Sequence, residues 1–183
     1  MTRANAQNGG FATPPDLLKA ILGSTRHAVE VSRRTRPLGM LEKLAGKRTP
    51  QGDLFGQILR SEESLSVIAE CKRRSPSRGV LRNNYRPASI ASAYEAAGAA
   101  AISVLTEPAF FDGALDDLTS VRNAVSVPVL RKDFIVCDYQ LWESRAAGAD
   151  VVLLIVAALD ELELSILLKL ATDLGLAVIV EVH

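Results

Sequence analysis

Four ionisable side chains stand at the ends of apolar runs: Glu70 and Lys72 in Val67-Ile-Ala-Glu-Cys-Lys, Lys132 in Pro128-Val-Leu-Arg-Lys, and Glu181 in Ala177-Val-Ile-Val-Glu. In a strand the side chains alternate between faces, so Ile68, Glu70 and Lys72 share one face, as do Pro128, Leu130 and Lys132, and Ala177, Ile179 and Glu181. An apolar floor under a charged rim is the pattern of a reactive site, and an ion pair at a strand end is the plainer alternative. Two lysines and two glutamates, half desolvated, make general acids and bases near neutral pH. A lysine can also hold a carboxylate or phosphate, or form a Schiff base. Acyl transfer lacks its nucleophile–His pair, because His27 lies far upstream and His183 is the last residue given. Phe110, Phe111 and Phe134 either line a pocket for an aromatic ring or anchor loops. Arg73, Arg74, Arg78 and Arg82 form a basic loop that either attracts an anion or is simply solvated.

The elements that must carry these residues follow from periodicity. Strands are predicted near 65–71, 101–105, 127–131, 150–156 and 176–182, separated by helices near 87–97, 114–124, 138–147 and 160–174. Pro87 suits a first helical position, Asp138 an N-cap, and Asp160 with Glu163 a capping box. Gly98, Gly148 and Gly175 follow helices where a left-handed residue turns the chain into the next strand. Nearly continuous apolar strands alternating with helices mean a parallel α/β fold. A doubly wound sheet loses support because neither GxGxxG nor the Walker pattern follows the first strand. In a (β/α)8 barrel, alternate strands feed one interior layer and the site sits at the strand C-termini, which gathers Glu70, Lys72, Lys132 and Glu181 at one mouth. The expected fold is therefore a (β/α)8 TIM barrel, present as about five strands and four helices.

Ahead of it, residues 1–13 read as disordered and 14–60 as a helical extension: one helix around Leu17–Leu22, a second over Ala28–Arg34, an apolar cluster at Met40, Leu41 and Leu44, and a short helix at Phe55, Ile58 and Leu59. The partial barrel domain is assigned to 61–183. Lys plus Arg number 21 and Asp plus Glu 21 in 183 residues, so a partner held by bulk charge, such as nucleic acid, is not expected. Cys71 and Cys137 lie in no metal-binding or disulfide pattern, which fits a reducing cytoplasm. No apolar run reaches membrane-spanning length, so no membrane association is expected.

These residues carry a resemblance. Val67-Ile-Ala-Glu-Cys-Lys-Arg-Arg-Ser-Pro-Ser resembles the first-strand motif of indole-3-glycerol-phosphate synthases, and Ser103-Val-Leu-Thr-Glu-Pro-Ala-Phe-Phe-Asp-Gly113 their second-strand loop. Pro128-Val-Leu-Arg-Lys-Asp-Phe-Ile-Val136, Gly148-Ala-Asp-Val-Val-Leu-Leu-Ile-Val156 and Val178-Ile-Val-Glu-Val-His183 are similar to the third, fourth and fifth strands. The resemblance implies a carbon–carbon lyase (a carboxy-lyase) of tryptophan biosynthesis that needs no cofactor or metal. Its substrate is 1-(2-carboxyphenylamino)-1-deoxyribulose 5-phosphate and its products are indole-3-glycerol phosphate, water and carbon dioxide. By motif position, Lys132 is the acid that protonates the substrate carbonyl. Lys72 holds the anthranilate carboxylate or serves as acid in a later step. Glu181 moves a proton during dehydration, and Glu70 orients the lysines and substrate hydroxyls. Ser75 contacts substrate, and Phe111, Phe134 and Leu153 pack on its ring.

A whole barrel takes about 250 residues, and the family's sixth to eighth strands, with the phosphate site, have no counterpart in this sequence. The expectation is a C-terminally truncated, inactive fragment, with fusion to or association with another tryptophan-pathway enzyme left open. The alternative is a non-catalytic partial barrel that pairs its open edges with a complementary chain. A phosphoribosylanthranilate isomerase is disfavoured, because it resembles a Cys/Asp acid–base pair rather than Glu-x-Lys-x-x-Ser-Pro.

Overall fold

The computed structural model describes residues 14–49, 55–56, 58 and 65–182. The expectation of disorder over 1–13 and the boundary at 60/61 lie outside them. Helix α1 runs Pro14–Thr35. The separate helices expected within it are one: Ile21, Leu22, Thr25 and Val29 keep a single buried stripe, and Gly23 faces open space without breaking the turn. It ends before Pro37, where the residue preceding a proline is pushed out of helical geometry. Helix α2 (Leu38–Ala45) turns its buried Leu41 and Ala45 inward. Residues 55, 56 and 58 are helical as expected, while Leu59 is outside the described residues.

Strand β1 (Ile68–Cys71) is followed by a hairpin, β2 (Arg74–Ser75) and β3 (Gly79–Val80), that periodicity did not anticipate. Then come α3 (Pro87–Ala96), β4 (Ala101–Leu105), the one-turn α4 (Pro108–Phe111), α5 (Leu115–Arg122) and β5 (Val129–Lys132). After these lie α6 (Asp138–Ala147), β6 (Val151–Ile155), a 3-10 turn (Val156–Ala158), α7 (Glu161–Asp173) and β7 (Ala177–Glu181). Five strands pair in parallel in the order β1-β4-β5-β6-β7. This is the strand–helix succession of a (β/α) barrel, with β1 and β7 at the two edges.

Local chemistry accounts for the element ends. Asp160 and Glu163 form the reciprocal capping box that starts α7. Gly98, Gly148 and Gly175 take positive φ where helices turn back. Asp138 does not cap α6. It is the first helical residue, Cys137 being the extended residue before it, and its Oδ1 accepts instead from Arg33 Nη2 at 2.9 Å and from the Tyr139 amide.

Strands β4, β5 and β6 separate two cores. One face sends Ile102, Val104, Val129, Val152 and Leu154 against helices carrying Leu118, Val121, Leu141 and Leu167. The other gathers Ala101, Leu130, Val151, Leu153 and Ile155 with Leu22 of α1 and Phe55. The N-terminal helices thus bury apolar surface on the sheet, and Val29, Leu41 and Tyr139 form a further buried cluster between α1, α2 and α6.

Candidate active site

Parallel pairing puts all strand C-termini at one end of the sheet. A pocket there, of about 110 Å³, is lined by Glu70, Lys72, Leu105, Phe111, Lys132, Asp133, Phe134 and Ile155. Lys132 Nζ donates to Glu181 Oε2 at 3.1 Å, and Lys72 Nζ donates to Glu70 Oε1. The side chains of both pairs are about a third exposed, 31% and 30% for Lys132 and Glu181, 31% and 34% for Lys72 and Glu70. They are therefore open to a ligand yet leaning on protein. Strand β6 lies between β5 and β7, so the long Lys132 and Glu181 side chains meet across the C-terminal end of that strand.

The apolar wall is built by two loops. Phe111 and Phe134 stand with ring centroids 6.2 Å apart, tilted by 36°. Phe111 ends α4, whose three free amides (Ala109, Phe110 and Phe111) all donate to the buried carboxylate of Glu107 at 2.7 to 3.1 Å. An acceptor there satisfies donors that a helix start otherwise leaves unpaired. Phe134 follows Asp133, whose Oδ1 accepts the Phe134 amide at 2.8 Å. Behind it, Arg131 reaches to the far face of β5 and donates to Asp133 Oδ2, to Ser144 Oγ and to the Gln140 carbonyl. Thr106 Oγ1 donates to the same Asp133 oxygen at 2.6 Å, and Glu143 joins through Arg131 and Arg36. Arg131 and Asp133 are each only 5% exposed. The network fixes the residues on either side of Lys132.

Of the residues singled out from sequence, Glu70, Lys72, Lys132, Phe111 and Phe134 line one pocket, and Glu181 joins through Lys132. Leu153 lies two residues before Ile155 on the same face, buried in the inner core; Ile155 is the β6 residue that reaches the pocket. Ser75 sits in the β2–β3 hairpin, where its Oγ accepts the Arg78 amide at 3.3 Å, and it does not line the pocket. Phe110 does not line it either. Leu105 and Ile155 were overlooked, although their positions at strand C-termini on the inner face follow from period two. Glu107 and the Arg131 network were overlooked because nothing local marks them. Among the described residues the basic loop makes one ion pair, Arg73 Nη1 to Asp112 Oδ2 at 3.1 Å. No group of three His, Cys, Asp or Glu suited to a metal occurs among the described residues, and none of their helices is long and apolar enough to cross a membrane.

A parallel β/α sheet with lysine–glutamate pairs and an aromatic slot at its strand C-termini has these groups at the end where barrel enzymes carry their sites. A sequence model of the indole-3-glycerol phosphate synthase family matches residues 18–183, and the chain belongs to that family. It is 45% identical over 170 residues to the indole-3-glycerol phosphate synthase of Laribacter hongkongensis, covering 92% of this chain and 65% of that protein. It is 51% identical over 166 residues to the one of Parafrankia sp., covering 91% and 61%, and 47% over 171 residues to that of Desulfosudis oleivorans, covering 92% and 65%. The chain thus spans a little under two thirds of the length of these relatives.

Proposed function

We propose that the chain supplies the acid–base half of an indole-3-glycerol phosphate synthase, a carboxy-lyase of cytoplasmic tryptophan biosynthesis. The observation that carries this reading is the pair of lysine–glutamate couples facing one aromatic slot. In the reaction a new bond forms between the anthranilate ring carbon and the substrate's former carbonyl carbon, then carbon dioxide and water leave. Lys132 delivers the proton to the carbonyl oxygen as the ring attacks. Glu181, bonded to Lys132, takes and returns protons during dehydration. Lys72 holds the departing carboxylate or acts as the later acid, and Glu70 orients it. Phe111 and Phe134 pack on the ring, with Leu153 beneath them. Ser75 touches substrate only if the hairpin closes over the mouth. The zwitterionic intermediate needs these charges and the ring needs the apolar wall, so the two occur together.

The test is a chimaera in which the remaining third of the Laribacter relative follows residue 183. Such a chain is expected to convert substrate to indole-3-glycerol phosphate, followed by indole fluorescence, whereas the 183-residue chain alone turns over little or nothing. Lys132→Ala in the chimaera is expected to lower kcat by roughly 10²- to 10⁴-fold, the range of a lost general acid, with an unchanged circular dichroism spectrum. A near-normal rate would remove Lys132 from its role. A second reading, a non-catalytic partial barrel completed by a complementary chain, is favoured by β1 and β7, which have no further strand beside them among the described residues. Co-purification of the 183-residue chain with the relative's separately expressed last third would support it.

A further inference from the structure

At the other end of the strands, where α5 and α6 turn into β5 and β6, lies a second cavity of about 280 Å³ with a polar lining. Its charged residues are Lys47, Arg48, Arg122, Arg145 and Asp150. Asp150 is already committed: its Oδ2 accepts from Arg122 Nη1 at 2.7 Å and from the Val129 amide at 3.0 Å. Arg122 gives its other bonds to the carbonyls of Val127 and Val125. Arg145 is different. It is 3% exposed, and among the described residues its one hydrogen bond runs from Nη2 to the Arg48 carbonyl at 2.6 Å. A guanidinium has five N–H donors, so most of this buried cation's donors are unspent. The Arg48 guanidinium lies beside it, over Gly148. A Cβ at Gly148 would stand 3.0 Å from Arg48 Nη1 and 2.8 Å from Arg122 Cγ, so the glycine, at φ +97°, makes the room. Burial, with the neighbouring Arg48 charge, holds the Arg145 pKa below its ordinary value against the pull of Asp150. Glu42 and Asp173 line the adjoining groove, but among the described residues neither pairs with Arg48 or Arg145, and Asp173 is engaged by Lys169 at 2.7 Å.

Asp150, whose Oδ2 is engaged by Arg122, is the one carboxylate among four cationic side chains in the lining, so the cavity keeps an excess of positive charge and its adjacent guanidiniums repel each other. A tetrahedral oxyanion supplies acceptors for both planar forks at once. We propose that this cavity binds a phosphate group, as inorganic phosphate or as the phosphomonoester of a small metabolite, held by Arg48 and Arg145 with Lys47 at the rim. The site is separate from the catalytic mouth and does not depend on the enzymatic reading.

The chain contains one tryptophan, Trp142, which lines the adjoining groove together with Arg48 and Arg145 and reports on the site. Sodium phosphate titrated at constant ionic strength is expected to change Trp142 fluorescence saturably, while chloride does not. Arg48→Ala is expected to weaken phosphate by roughly 10- to 100-fold, the worth of lost charge-assisted hydrogen bonds, and Lys132→Ala to leave it unchanged. Glycerol phosphate separates the sources: binding comparable to phosphate assigns a phosphomonoester, and binding of phosphate alone assigns the free ion. A response that does not saturate, that chloride reproduces, or that survives Arg48→Ala overturns the proposal. Should Arg48→Ala lose its far-ultraviolet circular dichroism signal, Lys47→Glu at the exposed rim is read instead, and unchanged phosphate affinity there overturns it equally.

Discussion

Lys132 and Glu181 are 49 positions apart in sequence, yet their side chains meet at 3.1 Å. Their bond makes each a charge partner of the other, so Glu181→Gln is expected to disturb Lys132 as well. In the chimaera, a double-mutant cycle on kcat with Lys132→Ala should therefore be non-additive; additive losses would show that the two act separately. The cysteines give a second expectation. Cys71 is 1% exposed with a thiol pushed up by burial from 9.0 to about 11, whereas Cys137 is half-buried. At pH 8 an alkylating reagent should modify Cys137 first and Cys71 only on unfolding, as mass spectrometry of the labelled peptides will tell. Between pH 9 and 11 the unfolded chain loses the Cys71 proton while the folded chain keeps it. The folded state binds more protons there, and stability from this group falls as pH rises through that window. Tyr85, also raised by burial, adds the same sign above pH 10. Denaturant midpoints measured from pH 8 to 11 should decline accordingly, and less steeply in Cys71→Ala.

At the scale of elements, the loops after β4 and β5 are held by charges placed inside the protein. Arg131→Met would leave the carboxylates of Asp133 and Glu143 without their shared cation, Glu143 keeping only the partly exposed Arg36. Breaking a buried pair on one side costs about 3–5 kcal/mol, a loss visible as a large drop in Tm. Glu107→Ala strands three amides of α4 and should cost about 1–3 kcal/mol, with Phe111 losing its fixed place against Phe134. Periodicity found every strand of the main sheet and the longer barrel helices because each buries one face continuously. It divided α1, whose polar middle still leaves Thr25 and Val29 on the buried stripe. It overlooked the β2–β3 hairpin, whose strands are two residues long and mostly exposed, too short for any alternation to register.

For the molecule as a whole, the described sheet has two free edges. Leu65, Val67 and Ile68 at one, Val180 and Val182 at the other, and Leu162 and Ile166 on α7 are exposed apolar side chains. Unpaired parallel edges of this kind template further pairing, so the 183-residue chain is expected to associate with rising concentration in size-exclusion chromatography. Val180→Lys should reduce that association; a chain that remains monomeric at high concentration would show the edges to be protected.

By itself the sequence determined the order and kind of the sheet strands and the barrel helices, the capping box at Asp160, the glycine turns, and the placing of Glu70, Lys72, Lys132 and Glu181 at strand ends, because these depend on period and on the chemistry of neighbours. It also determined the family, through motifs that keep their order. The tertiary structure decided which partner each charge takes, that Ile155 rather than Leu153 reaches the pocket while Ser75 stays in its hairpin, and that Arg48 and Arg145 share a cavity over Gly148. Those outcomes depend on which distant segments the fold brings within a few ångströms of one another, and on how much water it removes there. Neither is encoded in the spacing of residues along the chain.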